Sequence, residues 1–253
     1  MAYMATLPTL SMDPVIAAIR EELLTVIDEK TRESFHRFFK EDVKAYGCKT
    51  ADVTKIAKKY WKTVKDQEKE EIFSLCEELY ESGLLEEAFI VSSWASNMKD
   101  RFEPEDIERF RYWVSTYITN WAACDGFCNH AVGDFIQKYP EYLDELKEWT
   151  QSDNRWMRRA AAVSLIIPAK HGKYLKDVIE IADLLLTDDD DMVRKGYGWL
   201  LKEASRLHQN EVFEYVMAHK KEMPRTSLRY AIELMPPERK AEAMKKDWNV
   251  KKL

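Results

Sequence analysis

The chain has 253 residues, of which 45% are apolar and 33% charged, enough to bury the core of one large domain or one repeat array. It contains only 7 glycines and 8 prolines, whereas a sandwich or barrel needs turn residues at intervals of about 8–12 positions. The composition therefore argues against an all-β fold and favours long helices. Four cysteines, no basic leader and no long apolar run predict a reduced, soluble, cytoplasmic protein that contacts no membrane.

Capping residues and prolines mark where helices are expected to begin, and apolar residues between them recur every three or four positions. We predict a single α-helical domain over residues 12–246, with flexible tails at 1–11 and 247–253. The predicted helix starts are Asp13-Pro14, Thr50-Ala51-Asp52, Glu103-Pro104-Glu105, Tyr139-Pro140-Glu141, Ser152-Asp153, Pro224-Arg225-Thr226 and Pro236-Pro237-Glu238.

A repeat with a step of 36 residues is visible in the second half of the chain. Segments 153–160 and 189–196 both follow the pattern Asp-x-x-x-apolar-Arg-basic-small. The same step places small residues at positions 88, 124, 160 and 196, where stacked helices need close approach. This pattern resembles HEAT repeats. The predicted fold is therefore all-α, an α-solenoid of HEAT-like helical hairpins with a concave binding groove.

The Asp and Arg residues of this pattern have a structural interpretation. In HEAT repeats such residues commonly tie neighbouring repeats together. We therefore predict that Asp153, Arg158, Asp189 and Arg194 join repeats and take no part in chemistry.

Charge is distributed unevenly along the chain, whose net charge is −6. Residues 153–253 contain 20 Lys and Arg against 16 Asp and Glu, whereas residues 1–152 contain 19 against 29. Within the acidic part, Lys55, Lys58, Lys59 and Lys62 are spaced to share one helical face. Such strips usually face solvent, and a basic binding surface is the alternative.

Four side chains on successive second helices are predicted to converge in one cleft. Trp121 and Asp125 are four residues apart and share a helix face, Arg159 follows one repeat later, and Trp199 follows one repeat after that. Structural alternatives are open for all four. The two indoles can be core side chains, and Asp125 with Arg159 can form an ion pair between repeats.

The segments around these residues resemble AlkD-type alkylpurine DNA glycosylases, a family of HEAT-like proteins that remove positively charged alkylated bases. The resemblance spans about residues 45–235, and the chain departs from the family at Asn120 and Ala122, where the family often has a second Trp and an acid. The matching segments are Tyr46-Gly47-Cys48-Lys49-Thr50, Trp121-x-x-x-Asp125, Asp153-Asn154-x-Trp156-x-x-Arg159-Ala160-Ala161, Gly198-Trp199-x-Leu201-x-Glu203 and Ser227-Leu228-Arg229-Tyr230-Ala231-Ile232.

The resemblance implies a monomeric, monofunctional DNA glycosylase of base-excision repair that acts on N3- and N7-alkylated purines in double-stranded DNA and needs no cofactor or metal. Its implied catalytic residues are Asp125, Trp121 and Trp199. Indole faces suit the positive charge that develops on the deoxyribose, and the carboxylate can stabilise that charge or position or deprotonate water. The expected DNA contacts are Arg159, as a bidentate phosphate clamp, together with Lys195 and Arg229.

Two non-enzymatic alternatives stay open. The acidic total charge fits a HEAT-like scaffold for a protein partner, and a relative that binds DNA structures without catalysis is the second possibility. A zinc site is not predicted, because Cys124, Cys128 and His130 have metal-like spacing but no obvious fourth ligand.

Overall fold

The structure is a computed structural model that describes residues 12–246, apart from the side chain of His36. Helices dominate this range and no β-strand occurs in it, the one β-type pairing being an isolated antiparallel bridge between Ile27 and Cys48. The prediction of an all-α fold is confirmed. The tails predicted at 1–11 and 247–253 lie outside the described residues. Within the described range, no helix is both long and apolar enough to cross a membrane.

The helices follow one another with short connections, and three short segments have other helical geometries. Lys99–Arg101 and Pro140–Tyr142 are 3-10 turns, and Cys128–Val132 is a π-helical turn. The α-helices are α1 Pro14–Thr25, α2 Glu29–Phe38, α3 Thr50–Val64, α4 Lys69–Glu81, α5 Leu85–Asn97, α6 Asp106–Thr116, α7 Trp121–Phe127, α8 Gly133–Lys138, α9 Leu143–Trp149, α10 Arg155–Val163, α11 Ile166–Lys170, α12 Leu175–Leu184, α13 Asp191–Ala204, α14 Gln209–His219, α15 Arg225–Ala231 and α16 Pro237–Met244.

The predicted helix starts agree with the structure to within a few residues. Asp13 caps α1 by accepting a hydrogen bond from the Val15 amide at 2.8 Å, with Pro14 in the first helical position. Helices α3 and α16 begin at the expected Thr50 and Pro237. The exception is Pro140, which opens a 3-10 turn, so that α9 begins three residues later.

The chain divides after Trp94 into two compact units, which we call the first and the second unit. In the first unit, α1 packs on α3 and α4 through its buried residues Ile16, Ile19 and Leu23. Helix α5 lies beside α3, because the Trp94 indole donates a hydrogen bond to the Ala57 carbonyl at 3.0 Å. These interactions give the first unit a core of its own.

Two buried glutamates hold the turn before α3 in the first unit. Glu86 accepts hydrogen bonds from the amides of Tyr46, Gly47 and Cys48 at 2.7–3.0 Å. Gly47 has a φ of +94°, which only glycine adopts freely. Glu87, which is fully buried, pairs with Arg20 at 3.0 Å. The turn that begins α3 is therefore fixed by buried charge-assisted hydrogen bonds.

The second unit contains two rows of helices joined as hairpins. Helices α7, α10, α13 and α15 pack side by side in sequence order, and we call them the inner row. Helices α9, α12 and α14 each pack against the inner-row helix that follows them in the chain. The predicted helical hairpins are therefore present in this unit.

The contacts between repeats recur at the predicted 36-residue step, but the ion pair between them involves a different aspartate from the predicted one. Asn154 and Asp190, 36 residues apart, cap α10 and α13 by accepting amide hydrogen bonds. Arg158 reaches the next repeat as predicted, donating to Asp188 at 2.7 Å. Asp188, and not the predicted Asp189, thus accepts the hydrogen bond from Arg158 that links the two repeats.

The close contact between α13 and α15 depends on Gly198. A Cβ atom at this position would lie 2.9 Å from the Tyr230 Cβ and 3.0 Å from the Ser227 Cα. At Gly196, in the same helix, the nearest atom to an added Cβ would be the Arg159 Cγ at 3.4 Å. The two glycines of one helix therefore have different steric requirements.

We predict that Gly198→Ala lowers the free energy of unfolding by about 1–3 kcal/mol, because the new methyl group overpacks the α13–α15 contact. Gly196→Ala is the matched control and should be neutral or stabilising by up to about 1 kcal/mol, since alanine favours helix over glycine. Urea unfolding of both variants measures the difference. Equal stability of the two variants would contradict the close contact.

Candidate functional site

The helix that contains Asp125 is continuous from 121 to 138 and includes the π-helical turn. Asn120 caps its start by accepting a hydrogen bond from the Ala123 amide at 2.9 Å. The π turn follows directly after Phe127, and the Asn129 side chain donates to the Asp125 carbonyl there at 3.0 Å. π turns interrupt helices frequently at functional sites. Asn120, a departure from the family pattern, thus has a local structural role as an N-cap.

Asp125 and Arg159 form a two-point ion pair between neighbouring inner-row helices. The Arg159 Nε donates to Asp125 Oδ1 at 2.9 Å, and its Nη2 donates to Oδ2 at 2.8 Å. Side-chain exposure is 14% for Asp125 and 6% for Arg159. Such a paired geometry fixes the carboxylate plane and strengthens both hydrogen bonds. The structural alternative of an ion pair between repeats therefore describes the contact that forms.

Arg159 also connects this pair to the third helix of the inner row. Its Nη1 donates to the carbonyl of Met192 on α13. Gly196, one turn further along α13, leaves room for the Arg159 side chain to pass. One guanidinium therefore holds α7, α10 and α13 together and has a protein acceptor for three of its donor atoms.

For both Asp125 and Arg159, burial and ion pairing shift the pKa in opposite directions. Burial raises the pKa of Asp125 above its usual value, and the hydrogen bonds and charge of Arg159 only partly oppose that rise. Burial alone would lower the pKa of Arg159, but hydrogen bonding to the Asp125 carboxylate, the charge of Asp125 and smaller contributions from Cys124 and Tyr230 together outweigh it, so the pKa of Arg159 is raised. The site thus holds a charged pair whose carboxylate is easier to protonate than an exposed aspartate.

Trp121 and Trp199 lie on two helices of the inner row, α7 and α13, and both are half-buried. Trp121 begins α7, one turn before Asp125, and Trp199 lies on α13, three residues after Gly196. Both differ from Trp94 and Trp113, which are completely buried. Both side chains therefore keep part of their surface exposed to solvent, and their role stays a prediction.

A buried carboxylate lies one turn beyond Trp199. Glu203 pairs with Arg206 at 2.5 Å, and its side chain is 9% exposed. Burial raises the pKa of Glu203, but Arg206 and then the Trp199 indole lower it, so the net pKa lies below its usual value. Glu203 is thus an ionised neighbour that helps to orient Trp199.

The other two cations predicted to contact DNA have different surroundings. Lys195 pairs with Asp191 at 2.7 Å and is partly exposed. Arg229, on α15, is exposed, and its side chain makes no hydrogen bond or ion pair with any residue from 12 to 246. Of Arg159, Lys195 and Arg229, only Arg229 therefore has no side-chain partner among residues 12–246.

Tyr230 is a site residue that sequence reasoning misses. Its Cβ lies against Gly198, and its phenol is close enough to influence the pKa of Arg159. The segment 227–232 resembles a closing helix, but no pattern in it indicates that Tyr230 lies near the ion pair. Close packing of α15 on α13 brings it there.

The structure gives no support for a metal site at the cysteines. No group of three His, Cys, Asp or Glu residues in the described part of the chain is arranged to hold a metal ion. Cys124 and Cys128 are both buried as free thiols. Burial raises the pKa of Cys124 well above its usual value, which disfavours the thiolate form that metals bind.

We predict that Arg159→Met lowers the free energy of unfolding at pH 7 by about 3 kcal/mol, because it leaves a buried carboxylate without its partner. The deficit should shrink as pH falls through the raised pKa of Asp125, since the folded variant then takes up a proton. Urea unfolding between pH 4 and pH 8 tests this.

Arg155→Met is the control for that measurement. Arg155 pairs with Asp190 at 3.2 Å and is 38% exposed, so its loss should lower stability by at most about 1 kcal/mol. If both variants lost the same free energy of unfolding at every pH, the buried Asp125–Arg159 pair would contribute no more than the exposed Arg155–Asp190 pair.

Comparison with known proteins finds a matching family and several similar solved structures. The family model described as DNA alkylation repair enzyme matches residues 19–235. A predicted DNA alkylation repair enzyme from Enterococcus faecalis has a TM-score of 0.75 and 16% identity, covering 83% of this chain and 97% of the other. The Pseudomonas fluorescens alkylpurine DNA glycosylase AlkC, bound to DNA containing an abasic site analog, has a TM-score of 0.49 and 17% identity, covering 87% of this chain and 61% of the other. No curated protein sequence matches.

Proposed function

Since the chain belongs to the DNA alkylation repair enzyme family, we propose that it is a DNA glycosylase. Its proposed reaction hydrolyses the N-glycosidic bond of purines alkylated at N3 or N7 in double-stranded DNA. The products are the free alkylated base and an abasic site. The observation that supports this proposal best is the Asp125 carboxylate, which Arg159 fixes between two inner-row helices, with the half-buried Trp121 one turn before it in the same helix.

The chemistry of the lesion fits such a site. A purine alkylated at N3 or N7 already carries a positive charge, so it leaves without a proton from a general acid. As the bond breaks, positive charge develops on the deoxyribose. To stabilise this charge, the protein needs a negative group and electron-rich surfaces that are already in place. Such preorganised groups do not have to rearrange as the charge develops.

Asp125 is suited to be that negative group. Each of its oxygens receives one hydrogen bond from Arg159, and each retains a lone pair for a water molecule or for the sugar. Because the carboxylate is held by two bonds, it cannot rotate away as charge develops. We assign it electrostatic stabilisation of the sugar and positioning of the attacking water.

Trp121 and Trp199 are assigned to the same positive charge. A cation over an indole face gains about 0.5–2 kcal/mol, depending on desolvation. Half-buried indoles are better desolvated than exposed ones, since the protein around them excludes part of the water, and the cation–π attraction is therefore stronger. They would contact the deoxyribose or the cationic base from two inner-row helices.

The three cations proposed to bind phosphate differ in which protein partner, if any, each side chain must give up first. Arg229 can bind a phosphate at once, and Lys195 must exchange Asp191 for it. Arg159 would have to give up Asp125 or the Met192 carbonyl. We therefore assign phosphate binding first to Arg229 and then to Lys195, with Arg159 mainly positioning Asp125.

Asp125→Asn tests the proposed reaction. With duplex DNA containing N7-methylguanine, the wild-type chain should release free base, and the variant should do so on the order of 10²-fold more slowly, because the fixed charge is lost. Asp189→Asn is the control, since Asp189 is an exposed aspartate of the same unit, and its rate should be unchanged. Duplex binding without base release by the wild type would indicate a non-catalytic DNA-binding protein, and absence of both would favour a scaffold.

The pH profile gives a second test of the role of Asp125. Base release should fall as pH drops through the pKa of Asp125, and the midpoint should lie above the usual aspartate value because burial raises that pKa. Arg159→Met should move the midpoint to still higher pH, since Arg159 lowers the pKa of Asp125. Single-turnover rates, corrected for spontaneous base loss, measure both midpoints. Identical midpoints would contradict the pairing of the two groups during catalysis.

A further inference from the structure

The π turn of the second unit separates two contacts that one continuous helix makes with α10. Before the turn, Asp125 pairs with Arg159 of α10. After it, Gly133 passes the end of α10, where an added Cβ would lie 2.7 Å from the Ser164 carbonyl oxygen. In a regular α-helix, residues eight positions apart differ in direction by about 80°. Asp125 and Gly133 would then not face the same neighbouring helix.

The extra residue of the π turn brings these two positions onto one face. The turn spans Cys128–Val132, and the Gly133 amide donates to the Cys128 carbonyl, five residues earlier in the chain. One inserted residue makes eight positions equivalent to about seven, so that the difference in direction falls to about 20°. Asp125 can therefore meet Arg159 while Gly133 meets Ser164, because the π turn lies between them.

Asn129 is the residue of the π turn whose side chain bonds to Asp125. Its Nδ2 donates to the main-chain carbonyl of Asp125 at 3.0 Å, and the same carbonyl accepts a hydrogen bond from the Cys128 amide. Asn129 is 8% exposed, so water competes little for this bond. Side-chain bonds of this kind offer the backbone an alternative to the regular helical pattern. The Asn129 side chain thus connects the π turn to the residue that pairs with Arg159.

Net stability alone does not account for an asparagine at this position. The Oδ1 atom of Asn129 is buried and has no hydrogen-bond partner among the described residues. An unpaired buried acceptor carries a desolvation cost, which offsets much of the stabilisation that the Nδ2 bond provides. Leucine has a similar shape and would avoid that cost. The bond to the Asp125 carbonyl is therefore better explained by the position that it gives to Asp125.

We propose that Asn129 is a positioning residue for Asp125, because it holds the Asp125 carbonyl at the π turn and so keeps the carboxylate aligned with Arg159. The importance of this role for catalysis rests on the proposed function. Asn129 does not contact the substrate in this proposal, since its side chain is buried. It acts through the orientation of Asp125, so its loss should change the ionisation of Asp125 as well as the rate of base release.

Asn129→Leu tests the role on the full chain, since leucine keeps the approximate shape of the side chain and cannot donate a hydrogen bond. Arg159 lowers the pKa of Asp125, so a misaligned pair should move the titration midpoint of Asp125 to higher pH. NMR titration of the Asp125 carboxylate carbon in the substrate-free protein measures this midpoint. Above both midpoints, base release from N7-methylguanine DNA should be on the order of 10-fold slower than in the wild type, because the orientation of the carboxylate is less well fixed.

The control is Asn210→Leu, because Asn210 is an exposed asparagine of the same unit that accepts a hydrogen bond from Arg239. Its Asp125 midpoint and rate should equal those of the wild type. Urea unfolding checks that both variants fold, and Asn129→Leu should unfold near the wild-type urea concentration, since the lost bond and the removed unpaired acceptor offset each other. If Asn129→Leu does not fold, Asn129→Ala removes the same bond without added bulk. A wild-type Asp125 midpoint in the folded Asn129 variant, whatever its stability, would overturn the proposal.

The outcome for Asn129 can be separated from that for the proposed reaction, because the NMR titration needs no substrate. A raised Asp125 midpoint in the variant, together with a wild type that releases no base, would keep the positioning role and remove the glycosylase. Base release by the wild type together with an unchanged midpoint in the variant would keep the glycosylase and remove the positioning role.

Discussion

The pairing of Asp125 with Arg159 is the interaction on which the arrangement of the second unit depends. A buried ion pair seldom adds net stability, because desolvation of both charges offsets their attraction, and well-packed apolar residues would serve as well. Here the guanidinium also binds the Met192 carbonyl, so its geometry is fixed by three helices. What the pair provides is a carboxylate held in one orientation at the edge of the core.

That orientation depends on how closely the helices approach. Gly196 lets the Arg159 side chain lie along α13, and Gly198 lets α15 reach α13. Gly133 serves the same purpose after the π turn, since a Cβ there would lie 2.7 Å from the Ser164 carbonyl oxygen. Small residues therefore determine the spacing of the inner row, and this spacing determines which side chains can meet across it.

The sequence is most informative where a local interaction determines the structure. Asp13-Pro14 and Pro236-Pro237 predict helix starts correctly because capping and proline geometry act within one turn. The 36-residue step is likewise visible in the pattern shared by segments 153–160 and 189–196. In the structure, Asn154 and Asp190, one residue after the two aligned aspartates, both act as N-caps. These features need no knowledge of distant parts of the chain.

Features that depend on contacts between helices are less accessible. Four consecutive aspartates begin at Asp188 and lead into α13, and only the packing selects Asp188 as the partner of Arg158. The π turn leaves no clear periodicity signal, because a single extra residue shifts a helical pattern only slightly. Both interpretations of Asp125 and Arg159 are open from the sequence, and the structure shows the ion pair while leaving their role in catalysis as a proposal.

Because Arg159 is paired with Asp125, other cations have to supply most of the phosphate contacts in the proposed function. With a net charge of −6, the chain as a whole repels a polyanion, so attraction must come from local surfaces. Since Arg159 already has protein acceptors, phosphate binding in the proposed function falls to cations outside the ion pair, such as Arg229. In the proposed function, such a division would let the buried pair keep its geometry while exposed cations bind and release DNA, because surface contacts exchange with salt and solvent far more readily than a buried pair.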